Sequence, residues 1–369
     1  MVNAADVLIA IGDMLGLIKQ RVDCIDLDPD DIHRILVIRL AYIGDVVMTL
    51  PVIEPLRVRF PDAKIDFLTS TYAAPLVRYH PHINDVIPFD ARWFYPGSTH
   101  KTRDLVKTLR DRRYHLGIDF RGDIRNIYHC LHRPRIPRIM SYNSGGGGRL
   151  LTHPVPWNKL KHKIEFHLDI LRFYTIPAET TCPEIHVPED TLNSIRERYP
   201  EIFDETLKWI GIHPGARLPL KRWPGSCFAT LIRSIRENSA AKTVLFGTGG
   251  EKAFTDRIKM EVEPDLDLSE KLNILEFAAV ASRLDCIVCN DSAPMHIAAA
   301  TGTKVVALFG PSRSVETAPC GDGHAILETQ CDFKNMCDES NCIAPGKNGC
   351  MQQISVGDVV AKLEKILSV

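Results

Sequence analysis

The chain is expected to be an α/β protein built from two doubly wound, Rossmann-like domains. Runs rich in β-branched residues alternate with helix-length amphipathic stretches, the pattern of parallel sheets with helical crossovers. That alternation pauses in a stretch punctuated by Pro177, Pro183 and Pro188, and then restarts. The strand-like runs lead into glycine-containing turns, where ligands of such sheets bind. A chain of 369 residues is long enough for two such domains, each with its own core.

In the first half the expected strands are 35–38, 65–68, 86–89 and 116–119, with helices at 46–60 and 101–112. In the second half they are 209–212, 243–246, 286–289 and 305–309, and an amphipathic helix closes the chain at 356–367. The resulting division is a helical N-terminal extension at 1–33, domains at 34–185 and 186–354, and a last helix at 355–369. The glycine run at 145–148 reads as a mobile loop.

Composition is that of a globular protein, 45% hydrophobic and 25% charged, with a formal net charge of −1. Attraction of the whole molecule to nucleic acid or anionic lipid is therefore not indicated, and the basic clusters at 133–138 and 159–163 read as solvated faces. No run is apolar over the ~20 residues a membrane span requires. Residues 7–18 are fairly apolar, but Asp13 interrupts them and no basic segment precedes them, so an amphipathic helix docked on the body is expected rather than a signal peptide. The expected location is cytoplasmic. The 11 cysteines are odd in number and scattered, which disfavours a secreted disulfide framework. Cys331, Cys337, Cys342 and Cys350 cluster late without a paired C-x-x-C, so reduced thiols are favoured over a metal site.

Four motifs stand at strand ends. After 35–38 comes Arg39-Leu40-Ala41-Tyr42-Ile43-Gly44-Asp45, in which Asp45 either caps the next helix or serves as a general base for a hydroxyl. A single glycine here is not a dinucleotide fingerprint, which disfavours an NAD oxidoreductase. The segment His213-Pro214-Gly215-Ala216 ends the next strand with a turn open to a phosphate, and Lys221-Arg222-Trp223-Pro224 follows. Lys221 is placed to neutralise a leaving diphosphate, Arg222 could be a surface residue, and Trp223 reads as a packing anchor. In Phe246-Gly247-Thr248-Gly249-Gly250-Glu251, the glutamate could hold a ribose or favour the helix start. In Asn290-Asp291-Ser292-Ala293-Pro294-Met295-His296, Asp291 or Ser292 can cap a helix whose N-terminal amides suit an anion, and His296 reads as structural support. Phe309-Gly310-Pro311-Ser312 adds a further turn on this rim.

Together these residues resemble glycosyltransferase family 9, the ADP-heptose:lipopolysaccharide heptosyltransferases. The resemblance rests on 35–51, 213–216 with Lys221 to Pro224, 291–296 and 309–311, and begins after the first 33 residues. It implies a GT-B fold, an acceptor domain followed by a nucleotide-sugar domain, and a last helix packing back on the first domain. It also implies metal-independent inverting transfer with no cofactor. By motif, Asp45 resembles the catalytic base and Lys221 the diphosphate lysine; Gly215, Gly247, Glu251, Asp291, Ser292 and His296 fall on the donor side, and Gly44, Asp119 and Arg121 on the acceptor side. The implied partners are ADP-heptose and a glycolipid or glycan acceptor, with contact at the inner membrane face. Ala293 stands where members carry glycine, and Asp265-Leu266-Asp267 reads as solvated loop rather than a metal motif. The alternatives are an epimerase or hydrolase on the same fold, or a non-catalytic nucleotide-sugar-binding protein.

Overall fold

The structure, a computed structural model, describes residues 27–157, 161–331, 342 and 349–367. The expected helix at 7–18, Lys159 and Cys337 lie outside the described residues. The chain forms two compact units that divide between Pro183 and Glu184.

The first unit carries β1 (Arg34–Arg39), β2 (Lys64–Thr69), β3 (Asp85–Pro88), β4 (Leu116–Asp119), β5 (Arg138–Tyr142) and β6 (His153–Val155). They form one sheet in the order β3-β2-β1-β4-β5-β6, with every neighbouring pair parallel. A parallel sheet is covered on both faces, so its central strands are apolar along their length instead of alternating. Ile35, Leu36, Val37 and Ile38 of β1 are accordingly all buried.

The second unit repeats the winding with β7 (Trp209–His213), β8 (Lys242–Leu245), β9 (Leu266–Asp267), β10 (Cys286–Asn290), β11 (Lys304–Phe309) and β12 (Ala325–Glu328). Its order is β12-β11-β10-β7-β8-β9, again parallel throughout. In both sheets the chain starts in the middle, winds to one edge and returns to the other side of its first strand. The reversal falls between β1 and β4 in one unit and between β7 and β10 in the other. In sheets wound this way, ligands bind beyond the carboxyl ends of the strands at that reversal.

All eight expected strands form. Of the additional strands, β9 and β12 are only partly buried, while β5 is buried throughout but carries Arg138, Ser141 and Tyr142 in place of an apolar run. The Asp265–Asp267 pair is not solvated loop. Asp265 accepts from the Thr243 N–H (2.9 Å) and Asp267, within β9, accepts from the Ser269 N–H (3.0 Å), so the two carboxylates brace the edge of the sheet. The expected helix at 46–60 is broken into Ile43–Val47, a 3-10 turn at Leu50–Val52, and Ile53–Arg59, since Pro51 has no N–H to donate. The run at 145–148 packs instead of projecting: Gly145 sits against the backbone of Gly122, where a Cβ would have no room.

The last helix, Val356–Leu367, presents Val359, Leu363 and Ile366 as one stripe at i, i+4 and i+7. That stripe is buried with Ile210, Phe228, Ile232, Val306 and Leu308 in the core of the second unit. Its neighbour there is helix Gly225–Asn238. Among the described residues no helix is long and apolar enough to cross a membrane. Cys331, Cys342 and Cys350 carry free thiols, Cys182 and Cys320 are disulfide-bonded, and no metal-binding group of His, Cys, Asp or Glu occurs among the described residues.

Candidate functional site

In the first unit the rim at β1 and β4 is organised around Asp45. The N-cap of helix Ile43–Val47 is Tyr42, and no side chain caps that helix. The capping role is thus not the one Asp45 takes. Its carboxylate meets two cations: Arg39 Nη2 at 3.2 Å and Lys163 Nζ at 3.0 Å. Both approach the same oxygen, Oδ1, and no described hydrogen bond or ion pair uses Oδ2. Burial alone would raise the proton affinity of this carboxyl, but Arg39 and Lys163 outweigh it and hold the group well below the usual carboxylate range. Arg39 is itself fixed, because its second amino group donates to the Phe120 carbonyl. Behind this pair His167 sits 3.3 Å from the Thr49 hydroxyl and 3.1 Å from the Met48 carbonyl. Burial pushes its imidazole far below the usual range, so it adds no charge beside Asp45.

Gly44 is buried in the same short helix. Asp119, expected on the acceptor side, lies inside the unit at the end of β4. It is fully buried and accepts from the Gly122 N–H (2.7 Å), Asn126 Nδ2 (3.0 Å) and the Ser141 hydroxyl (3.3 Å). Burial pushes its pKa up to about 6 against these bonds. It braces the turn from which Arg121 projects. The Arg121 guanidinium lies 4.5 Å over the Phe94 ring and donates to the Leu40 carbonyl at 3.0 Å.

In the second unit the turns after β7, β8 and β10 converge. Lys221 Nζ and Asp291 Oδ2 are 2.8 Å apart in a largely buried pair. Asp291 therefore positions the lysine; a carboxylate touching a diphosphate itself would repel it. Ser292 occupies the N-cap of helix Ala293–Ala300 in extended backbone, yet its hydroxyl donates to the Asn290 carbonyl (3.2 Å) and no side chain caps the helix. That N-terminus keeps its positive field for an anion. His296 is buried in the first turn.

Glu251 favours the helix start. Its Oε2 accepts from both the backbone N–H and the hydroxyl of Thr248 at 2.9 Å, a capping box. Its other oxygen lies against Gly215, where a Cβ would push the carboxylate out of this position. His213 Nε2 is 3.9 Å from Glu251, and burial lowers the imidazole pKa. Gly247 answers to packing: a Cβ there would meet Thr255 at 2.7 Å.

Asn290 was not singled out by its sequence position, and it joins these turns. Its Nδ2 donates to the Pro214 carbonyl (2.7 Å) and toward that of Gly215 (3.3 Å), while its Oδ1 accepts from the Trp223 N–H (3.0 Å). Arg222 adds a bond from Nε to the Ala216 carbonyl (2.7 Å), which makes it part of the turn, and Trp223 is the expected anchor, fully buried with its indole N–H on Ile354. Arg39, Lys163 and His167 were also missed. Lys163 lies 118 residues from Asp45 and only tertiary structure pairs them.

Comparison with known proteins agrees with this architecture. Residues 102–344 match the family model of glycosyltransferase family 9 (heptosyltransferase). The chain is 28% identical over 290 residues to lipopolysaccharide heptosyltransferase 3 of Escherichia coli K12, covering 76% of this chain and 83% of that protein. It also resembles the solved family 9 glycosyltransferase of Veillonella parvula (TM-score 0.79, 23% identity, 94% of this chain and 99% of that one). A second solved neighbour is E. coli ADP-heptose lps heptosyltransferase II (TM-score 0.74, 22% identity, 91% and 98%). These likenesses bear out the expected α/β GT-B fold.

Proposed function

The chain belongs to glycosyltransferase family 9, and from that premise we propose that it transfers heptose from ADP-heptose to a hydroxyl of a lipopolysaccharide core or related glycan, with inversion and without a metal ion. The names of the relatives support the sugar and the pathway, and ADP-heptose is named with the same fold in the E. coli neighbour. In this reading the first unit receives the acceptor and the second the nucleotide sugar, and the enzyme works in the cytoplasm, touching the inner membrane where its glycolipid acceptor is anchored.

The observation that carries the reading is the one-sided engagement of Asp45. With Arg39 and Lys163 both on Oδ1, the carboxylate is ionised at every working pH and Oδ2 is left for an acceptor hydroxyl. That hydroxyl gives its proton to Oδ2 as its oxygen bonds to the anomeric carbon, and the bond from that carbon to the diphosphate oxygen breaks on the opposite face. Lys221, held by Asp291, meets the charge on the departing diphosphate together with the amides at Ser292 and the Gly215 turn. The Glu251 oxygen beside Gly215 accepts from a ribose hydroxyl.

The test is to incubate the full chain with ADP-heptose, with and without a heptose-terminated lipopolysaccharide core oligosaccharide, and weigh the products. Transfer should require acceptor, and Asp45→Asn should lower turnover roughly 10²–10⁴-fold while leaving ADP affinity unchanged. Donor consumed equally without acceptor would indicate a hydrolase or epimerase, and binding without turnover a non-catalytic protein.

A further inference from the structure

The rim that carries Asp45 also carries a continuous row of aromatic rings. Tyr42 directly follows the β1 loop, Tyr72 follows β2, Phe94 and Tyr95 follow β3, and Arg121 follows β4. Tyr72 and Tyr95 have centroids 5.6 Å apart, Tyr95 and Phe94 4.9 Å, and Phe94 and Tyr42 4.7 Å. The row is tied to the backbone by the Tyr95 hydroxyl, which donates to the Ala41 carbonyl at 3.4 Å, and Arg121 covers a face of Phe94. At its two ends Tyr72 is 60% exposed and Tyr42 43%.

Exposed aromatic side chains are normally scattered, and a contiguous set supplied by three adjacent strand ends marks a binding surface. The chemistry of that surface is amphipathic, with apolar ring faces beside tyrosine hydroxyls and a guanidinium. Ring planes tilted by 41° to 86° make it corrugated rather than flat. A pyranose fits this description, because its C–H face is apolar and its edge is ringed by hydroxyls. A bilayer is disfavoured, since the row adjoins the Asp45 carboxylate only three residues beyond Tyr42.

We propose that Tyr72, Tyr95, Phe94 and Tyr42 form a stacking platform that seats a sugar ring of the acceptor beside Asp45. This rests on the reading of Asp45 as the base, and it adds a binding subsite that the base alone does not require. Tyr95 and Phe94 form the floor, and Tyr72, the most exposed ring, covers the sugar unit furthest from the reacting hydroxyl.

The experiment is calorimetric titration of the full chain with a heptose-terminated lipopolysaccharide core oligosaccharide, and separately with ADP. Tyr72→Ala should weaken oligosaccharide binding about tenfold, Tyr72→Trp should retain it, and ADP affinity and melting temperature should stay at wild-type values. Equal oligosaccharide affinity in Tyr72→Ala and wild type overturns the proposal, as does the absence of binding by wild type. A loss confined to binding of anionic phospholipid vesicles also overturns it and points to a membrane surface. Asp45→Asn should keep oligosaccharide affinity while losing turnover. If that variant turns over normally the base reading fails, whereas the platform is still judged on binding alone.

Discussion

Asn290 offers a test of how the donor-side turns are held together. It is fully buried, and its three bonds admit one amide orientation, since the Trp223 N–H needs an acceptor and the Pro214 carbonyl a donor. Asn290→Ala strands both groups. Each buried unsatisfied group costs about 1–3 kcal/mol, and the 3.3 Å contact to Gly215 adds little, so the loss is roughly 2–6 kcal/mol. For a unit of this size about 2–4 °C accompanies each kcal/mol, so the second unit should melt about 4–24 °C lower. Asn290→Asp separates bonding from volume. It keeps an acceptor for Trp223 but sets a carboxylate oxygen against two carbonyl oxygens, and it should be at least as damaging. Differential scanning calorimetry reads the melting, and ADP titration reads the displacement of Gly215 and Lys221, which should cost at least tenfold in affinity. Wild-type melting and ADP affinity in Asn290→Asp would refute the idea that this amide locks the turns.

Two further outcomes follow from the ion pairs and the buried acid. Lys221→Ala should lose ADP affinity and, by leaving Asp291 unpaired, on the order of 3 kcal/mol of stability. Adding Asp291→Asn should restore melting but not ADP binding, and recovery of affinity would remove Lys221 from the donor site. Asp119, with its folded pKa raised to about 6, should protonate there in carbon-13 NMR of its carboxyl. Because the folded value is raised, its contribution is complete below the unfolded value of ~4 and is lost as pH rises through 6, on the order of 3 kcal/mol. Titration below pH 4.5 would show that its hydrogen bonds outweigh burial.

Much of the molecule was readable along the chain. Strands buried on both faces must be continuously apolar, so runs such as 35–38 and 286–289 announce themselves. Turns at strand ends need glycine, proline and capping residues, so Asp45, Gly215, Glu251 and Ser292 were found at the rims by local chemistry. The family resemblance drew on the same segments. Short outer strands such as β9 and β12 escaped, since partial burial demands no such pattern.

What the chain could not disclose is which groups meet. Whether Asp45 caps a helix or stands ionised depends on Arg39 and on Lys163, which parallel winding brings back from 118 residues away. Asp119 looked like one more polar residue at a strand end until burial made it an internal brace. The last helix declares its apolar stripe in sequence, but a stripe does not name its partner, and packing places it in the second unit. Sequence determined the periodicities and turn chemistry that build two wound sheets with glycine- and proline-bearing turns at their rims. Tertiary structure alone decided the charge partners, because Coulomb and desolvation energies depend on distances through space and not along the chain.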